Sequence, residues 1–140
     1  MTYERNRILL PAMLFRAGTS KGVYLLERDM PADRAAWDAL LLHLMGSPSK
    51  TQIDGLGGAQ SVTSIVQPSA RPDADVDYTF AQVSVDQSLV SYKGNCGNIL
   101  SGVGPFAIER GLVQPQEGIT AVHIYNTNTD KYITADVPEK

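Results

Sequence analysis

The sequence predicts an α+β domain of mixed and antiparallel strands wrapped around a central helix, and three observations carry that prediction. Apolar runs of strand composition occur in hairpin pairs. One stretch after Asp33 has helical periodicity, and a second, rich in glycine, follows Cys96. Strands and helices do not alternate as βαβ units, which argues against a doubly wound parallel sheet. At 140 residues, with 43% hydrophobic and 19% charged residues, residues 1–140 fit one globular domain with a real core.

The first elements are two strands, Ile8 to Phe15 and Val23 to Leu26, joined by a polar turn from Arg16 to Gly22. From Asp33 the pattern becomes helical: Ala36, Trp37, Leu40, Leu41 and Leu44 share one face. Asp33 is placed to cap the first amides, Gly46 and Pro48 to stop the helix, and Trp37 to anchor the core. Ser61 to Val66 reads as a short strand, Pro68 to Asp75 as a turn-rich loop, and Val76 to Val85 as a further strand. The change of apolar parity between Phe80 and Val83 predicts a bulge. A helix opening at Gly94-Asn-Cys-Gly-Asn98 is continued by Ile99, Leu100, Val103, Ala107 and Ile108 and ended by Gly111. Gly102 and Gly104 keep it slim enough for close approach, and Pro105 removes one hydrogen bond or kinks it. Ile119 to Tyr125 and Tyr132 to Val137 form a final hairpin around the polar loop Asn126 to Asp130.

Several function classes are disfavoured. The net charge is -3 and no window clusters Lys or Arg with aromatics, so a nucleic-acid partner is not expected. No apolar run approaches the ~20 residues that span a bilayer, and the opening Met1 to Arg5 has no secretory signal character. A cytoplasmic location, away from membranes, is the expectation. One cysteine excludes an intrachain disulfide and a multi-cysteine zinc site, and His43 and His123 read as ordinary helix and strand residues rather than ligands. Asp73, Asp75 and Asp77 alternate, but in a solvated loop rather than a metal site.

Cys96 is the main candidate for chemistry. Asn95 and Gly97 flank it at an expected helix N-terminus, where unpaired amides and the helix dipole favour negative charge. A thiolate forms more readily there, and the same amides can hold a substrate carboxylate. The competing reading is a small buried hydrophobe, as free cysteines usually are. Thr19 and Ser20 can donate to a second carboxylate with Lys21 nearby, against the simpler reading of a turn.

Seven motifs occur in a fixed order: Phe15-Arg-Ala-Gly-Thr-Ser-Lys-Gly22, Gln52-Ile-Asp-Gly-Leu-Gly-Gly58, Arg71-Pro-Asp-Ala-Asp-Val-Asp-Tyr78, Phe80-Ala-Gln-Val83, Gly94-Asn-Cys-Gly-Asn98, Val103-Gly-Pro-Phe-Ala-Ile108 and Tyr125-Asn-Thr-Asn-Thr129. Together they closely resemble the 2-methylaconitate cis-trans isomerase family, which includes 4-oxalomesaconate tautomerases and methylitaconate isomerases. The resemblance implies a diaminopimelate epimerase-like fold of two similar halves, this chain being the N-terminal one. It also implies cofactor-independent chemistry: a proton is removed beside an activating carboxylate or carbonyl of a small unsaturated di- or tricarboxylic acid and returned across an allylic system. Cys96 matches the family's acid-base cysteine, Asn95, Gly97 and Asn98 its anion-binding turn, and Thr19 and Ser20 the turn that approaches a substrate carboxylate.

Two departures qualify these expectations. The family lysine that follows a Thr-Ser pair is not found here: Ile65 follows Thr63-Ser64, and the loop to Arg71 is short, as if residues including that lysine were lost. The resemblance also covers only the first half of a two-domain enzyme, leaving one wall of the cleft to a second copy of the chain or to a separate half-domain. A catalytically inactive binding or self-associating domain is the alternative reading.

Overall fold

In the computed structural model, residues 2–4, 7–9, 11–17, 20–45, 61–83, 90–92 and 100–138 are described. A short hairpin, β1 (Thr2–Glu4) with β2 (Arg7–Leu9), precedes the main sheet. The main sheet contains β3 (Met13–Ala17), β4 (Ser20–Leu26), β5 (Ser61–Pro68), β6 (Val76–Val83), β7 (Val90–Ser91), β8 (Ile119–Asn126) and β9 (Lys131–Pro138). Its order is β3-β4-β5-β6-β8-β9, with β7 also paired to β6. The β4–β5 and β6–β8 pairs are parallel and the others antiparallel, so the sheet is mixed as expected.

Among the described residues, two α-helices cover opposite faces of the sheet. Helix α1 (Ala36–Met45) begins where Asp33 accepts from the Ala35 amide through its side chain at 3.0 Å and from the Ala36 amide through its carbonyl at 3.0 Å. Its apolar face packs Trp37, Leu40 and Leu41 on Val23, Leu25, Ile65, Ala81 and Val83. Trp37 Nε1 donates to the Pro31 carbonyl at 2.9 Å, which satisfies the ring's one polar atom inside the core. Helix α2 (Val103–Glu109) lies on the other face, with Val103, Phe106 and Ala107 against Tyr24, Leu26, Val66, Tyr78, Phe80, Val122 and Ile124. Met13 of β3 and Ala135 and Val137 of β9 reach the same cluster, so the strands do wrap this helix.

Three expectations change in detail. The first turn is tighter than predicted: β3 runs to Ala17 and β4 starts at Ser20, paired with each other, so most of Arg16 to Gly22 is strand. The predicted bulge is absent from 76–83, where β6 keeps continuous register with β5 from Ser61↔Val83 to Pro68↔Val76. Parity changes there because the strand is buried on both faces, Phe80 under α2 and Ala81 and Val83 under α1. The second helix is interrupted as well: Leu100 is helical, Ser101 and Gly102 form a turn, and α2 starts afresh at Val103. A proline ring clashes with the carbonyl four residues earlier, which for Pro105 is that of Ser101. In the restarted helix Pro105 sits in the first turn, where no amide is required. Gly111 ends α2 as expected, at φ +76°.

Candidate active site

The edge of β6 that faces β8 changes partner along its length. Val76 to Tyr78 pair with Ile124 to Asn126 of β8, whereas Gln82 and Val83 pair with Ser91 and Val90 of β7. Between them lies Phe80, buried, whose backbone needs a donor and an acceptor. Asn128 supplies both from its side chain: Phe80 N–H donates to Oδ1 at 2.9 Å, and Nδ2 donates to the Phe80 carbonyl at 2.7 Å. The carboxamide thus stands in for a strand residue. Its Nδ2 also donates to the Tyr92 carbonyl, just beyond β7.

The loop that carries Asn128 is itself fixed. Its backbone amide donates to Asn126 Oδ1 at 2.9 Å, and the Thr127 amide donates to the Tyr78 carbonyl at 2.9 Å. The Thr79 and Thr127 hydroxyls bond each other at 2.7 Å. Asn126 is fully buried and Asn128 half-buried. These bonds convert a polar hairpin tip into a rigid clip on β6.

Tyr92 is held from its other end by α1. Its hydroxyl donates to Asp38 Oδ1 at 2.6 Å, and the Arg34 guanidinium lies 4.9 Å from its ring and 4.1 Å from that of Trp37. Burial, then the hydrogen bond to Asp38 and its charge, push the phenol well above its ordinary range, with Arg34 opposing. The ring therefore stays a neutral donor.

On the α2 face, a Cβ at Gly102 would lie 2.3 Å from Tyr24 Oη and 2.8 Å from its Cζ, so a larger residue there would force the buried Tyr24 ring to shift. Tyr24 also packs on Phe106 with ring centroids 5.6 Å apart. Ser64, in register with Tyr24 and Phe80, shares this face; Thr63, in register with Val23 and Ala81, faces α1. Both residues are fully buried, and their hydroxyls find no hydrogen-bond partner among the described residues. Ile65 is 1% exposed in the α1 cluster, so the position after Thr63-Ser64 offers neither acid nor base to a cleft.

Of the site residues expected from sequence, Thr19, Asn95, Cys96, Gly97 and Asn98 lie outside the described residues, as does the Gln52–Gly58 motif. Ser20 opens β4 opposite Ala17; its side chain too lies outside them. The described chain resumes on either side of the cysteine motif, ending at Tyr92 and restarting at Leu100. Sequence reasoning missed Asn128 and Tyr92. Neither had a local signal, because the bonds that give them their roles run to residues 36 to 54 positions away.

Among the described residues no three or more His, Cys, Asp or Glu side chains gather as a metal site. No helix among them is long and apolar enough to cross a membrane. His123 lies on the exposed face of β8, its Nδ1 3.2 Å from Thr134 Oγ1. Asp75 and Asp77 are engaged in tying the loop down, Asp75 accepting from the His123 amide at 2.8 Å and Asp77 from the Ser69 hydroxyl at 2.7 Å.

The chain is similar to 3-methylitaconate isomerase of Eubacterium barkeri, with 52% identity over 135 residues that cover 94% of this chain and 36% of that protein. It is 54% identical over 132 residues to 4-oxalomesaconate tautomerase of Pseudomonas putida, covering 92% of this chain and 37% of the relative. The chain therefore spans little more than a third of the length of these curated relatives. Among solved structures, the crystal structure of methylitaconate-delta-isomerase superposes with a TM-score of 0.88 at 51% identity, over 94% of this chain and 60% of that one. That match bears out the α+β, diaminopimelate epimerase-like architecture. The family model described as PrpF protein matches residues 7–140, and with it the resemblance read from the seven motifs is established: the chain belongs to the PrpF family.

Proposed function

We propose that this chain is the cysteine-bearing half of a cofactor-independent isomerase that shifts a proton on a small unsaturated di- or tricarboxylic acid. The observation that supports it best is identity above 50%, across more than nine-tenths of the chain, to relatives named for isomerising methylitaconate and oxalomesaconate. Cys96 takes the proton from the carbon beside a carboxylate. The electron pair moves into the allylic system, and a proton is returned at its far end. Asn95, Gly97 and Asn98 receive one carboxylate and Thr19 and Ser20 a second, stabilising the charge that develops as the C–H bond breaks.

Incubation of the purified chain with 4-oxalomesaconate or methylitaconate in deuterated water, followed by NMR, tests this. Deuterium enters the substrate at the allylic carbon, and Cys96→Ser lowers that exchange by roughly 10²- to 10⁴-fold. The absence of both deuterium exchange and calorimetric binding would refute the proposal.

A second reading, retained binding without turnover, is favoured by Ile65, which fills core space where the family resemblance expects a lysine. Under it, calorimetry detects the acid while exchange stays at the solvent rate. In either reading part of the cleft lies outside residues 1–140, which span little more than a third of the length of the relatives. Sedimentation with and without substrate decides whether the chain pairs with itself.

A further inference from the structure

The main sheet begins at β3 and ends at β9, and both terminal strands reach α2, Met13 from one and Ala135 and Val137 from the other. The two strands do not pair with each other. A groove of about 740 Å³ opens there instead, walled by Met13, by Val137 and Pro138, and by Pro105 and Ile108 of α2. It adjoins a second, of about 390 Å³, that shares Pro105, Val137 and Pro138 and adds Leu100, Ile133 and Ala135. One wall is thus strand β9 for most of its length. Among the described residues β9 pairs with β8 alone, so its outer row of N–H and C=O groups has no strand beside it.

The groove also carries charge of one sign. Glu109, Glu117 and Asp136, all exposed, stand along it, and no Lys or Arg among the described residues lines either part. A free strand edge calls for another strand, the apolar floor for side chains that alternate toward α2, and the carboxylates for a cation at the rim. We propose that this groove receives an extended segment, apolar on alternate residues and bearing Lys or Arg, that pairs with β9 and continues the sheet around α2. Its source is the part of the family polypeptide that residues 1–140 do not represent: this chain accounts for only 36% and 37% of the length of two relatives, which leaves ample chain to supply a strand. Nothing here depends on Cys96, so failure of this assignment and failure of the isomerase reading are separate results.

Overlapping peptides, each long enough to line the eight residues of β9, are made for the part of the Pseudomonas putida relative outside its match to this chain, and for this chain itself. Each is titrated into the purified chain, with binding read by calorimetry and by amide exchange over 131–138. We expect one basic, alternately apolar peptide of the relative to bind and to slow exchange over 131–138 by about tenfold, while 36–45 is unchanged. N-methylation of its alternate residues, which removes the N–H groups that face β9, abolishes that protection. Replacing two exposed carboxylates together, Glu109→Gln with Glu117→Gln, weakens binding by about tenfold at low salt and by less at high salt. The proposal is overturned if no peptide of the relative binds, if protection falls only on other segments, or if affinity ignores the two substitutions. Binding by this chain's own peptides alone, or protection of 131–138 that grows as the chain is concentrated, makes the occupant a second copy and overturns it as well.

Discussion

Helices α1 and α2 cover opposite faces of one sheet by different means. Helix α1 packs on the strands through the large side chains Trp37, Leu40 and Leu41. Helix α2 is preceded by Gly102 and contains Gly104, and strands approach it closely: a Cβ at Gly104 would lie 2.9 Å from Val137 Cγ2, and one at Gly102 closer still to Tyr24. The first interface is filled by large side chains alone; the second combines large side chains, Val103 and Phe106 among them, with glycines that leave little room for a Cβ. The α1 side should therefore respond chiefly to removed atoms, and the α2 side to atoms added at its glycines as well.

The largest expected effect is on the α1 side. Trp37→Ala empties a buried aromatic site and orphans the Pro31 carbonyl, and should cost about 4 kcal/mol in urea unfolding. On the α2 side the harmful change is an addition: Gly102→Ala should destabilise by about 2–3 kcal/mol through overpacking on Tyr24. Tyr24→Phe in that background removes the nearest clashing atom and should recover part of the loss, visible as a coupling in a double-mutant cycle. Absence of coupling would mean that the clash lies elsewhere.

Smaller effects sharpen the contrast between faces. Thr63→Val and Ser64→Ala each remove a buried hydroxyl that has no hydrogen-bond partner among the described residues, one under each helix. Each should leave stability unchanged or raise it by up to about 1 kcal/mol, measured as a change in denaturation midpoint. A loss at Ser64 alone would show that its oxygen has a polar role on the α2 face. The smallest effect concerns Glu27, in the 3₁₀ turn after β4, whose carboxyl is raised above its ordinary range by burial and by Asp77, against Arg34 and Gln67. A raised carboxyl pKa means that the folded state holds the proton more tightly, so stability falls as pH rises through the ordinary glutamate range and the penalty persists at neutral pH. Glu27→Gln should give a small rise in Tm at pH 7, limited by solvent screening, that vanishes in acid below that range.

How much of this was legible in the sequence depends on the range of the interaction involved. The start of α1 followed from Asp33 and a five-residue apolar face, the end of α2 from Gly111, and the β8–β9 hairpin from its flanking strand composition. All are settled by residues within a few positions of each other. The restart at Val103 was equally local, since Pro105 denies the bond to Ser101, and was encoded although the helix was read as continuous. The cysteine motif and its family were legible as well, because the order of seven motifs is a property of the chain itself.

Other features had no local signature. The parity change at Phe80 looked like a bulge because a single strand cannot reveal that both its faces will be covered. Asn128 read as a loop residue because its partners, Phe80 and Tyr92, lie 48 and 36 positions away. The sequence by itself determined the elements, their caps and the family, since short-range sterics and hydrogen bonding act within a turn or two. Only the tertiary structure decided which side chain replaces a missing strand at Phe80 and which face receives Thr63, Ser64 and Ile65. A buried backbone group must find a partner somewhere, and where it finds one depends on what the folded chain brings near.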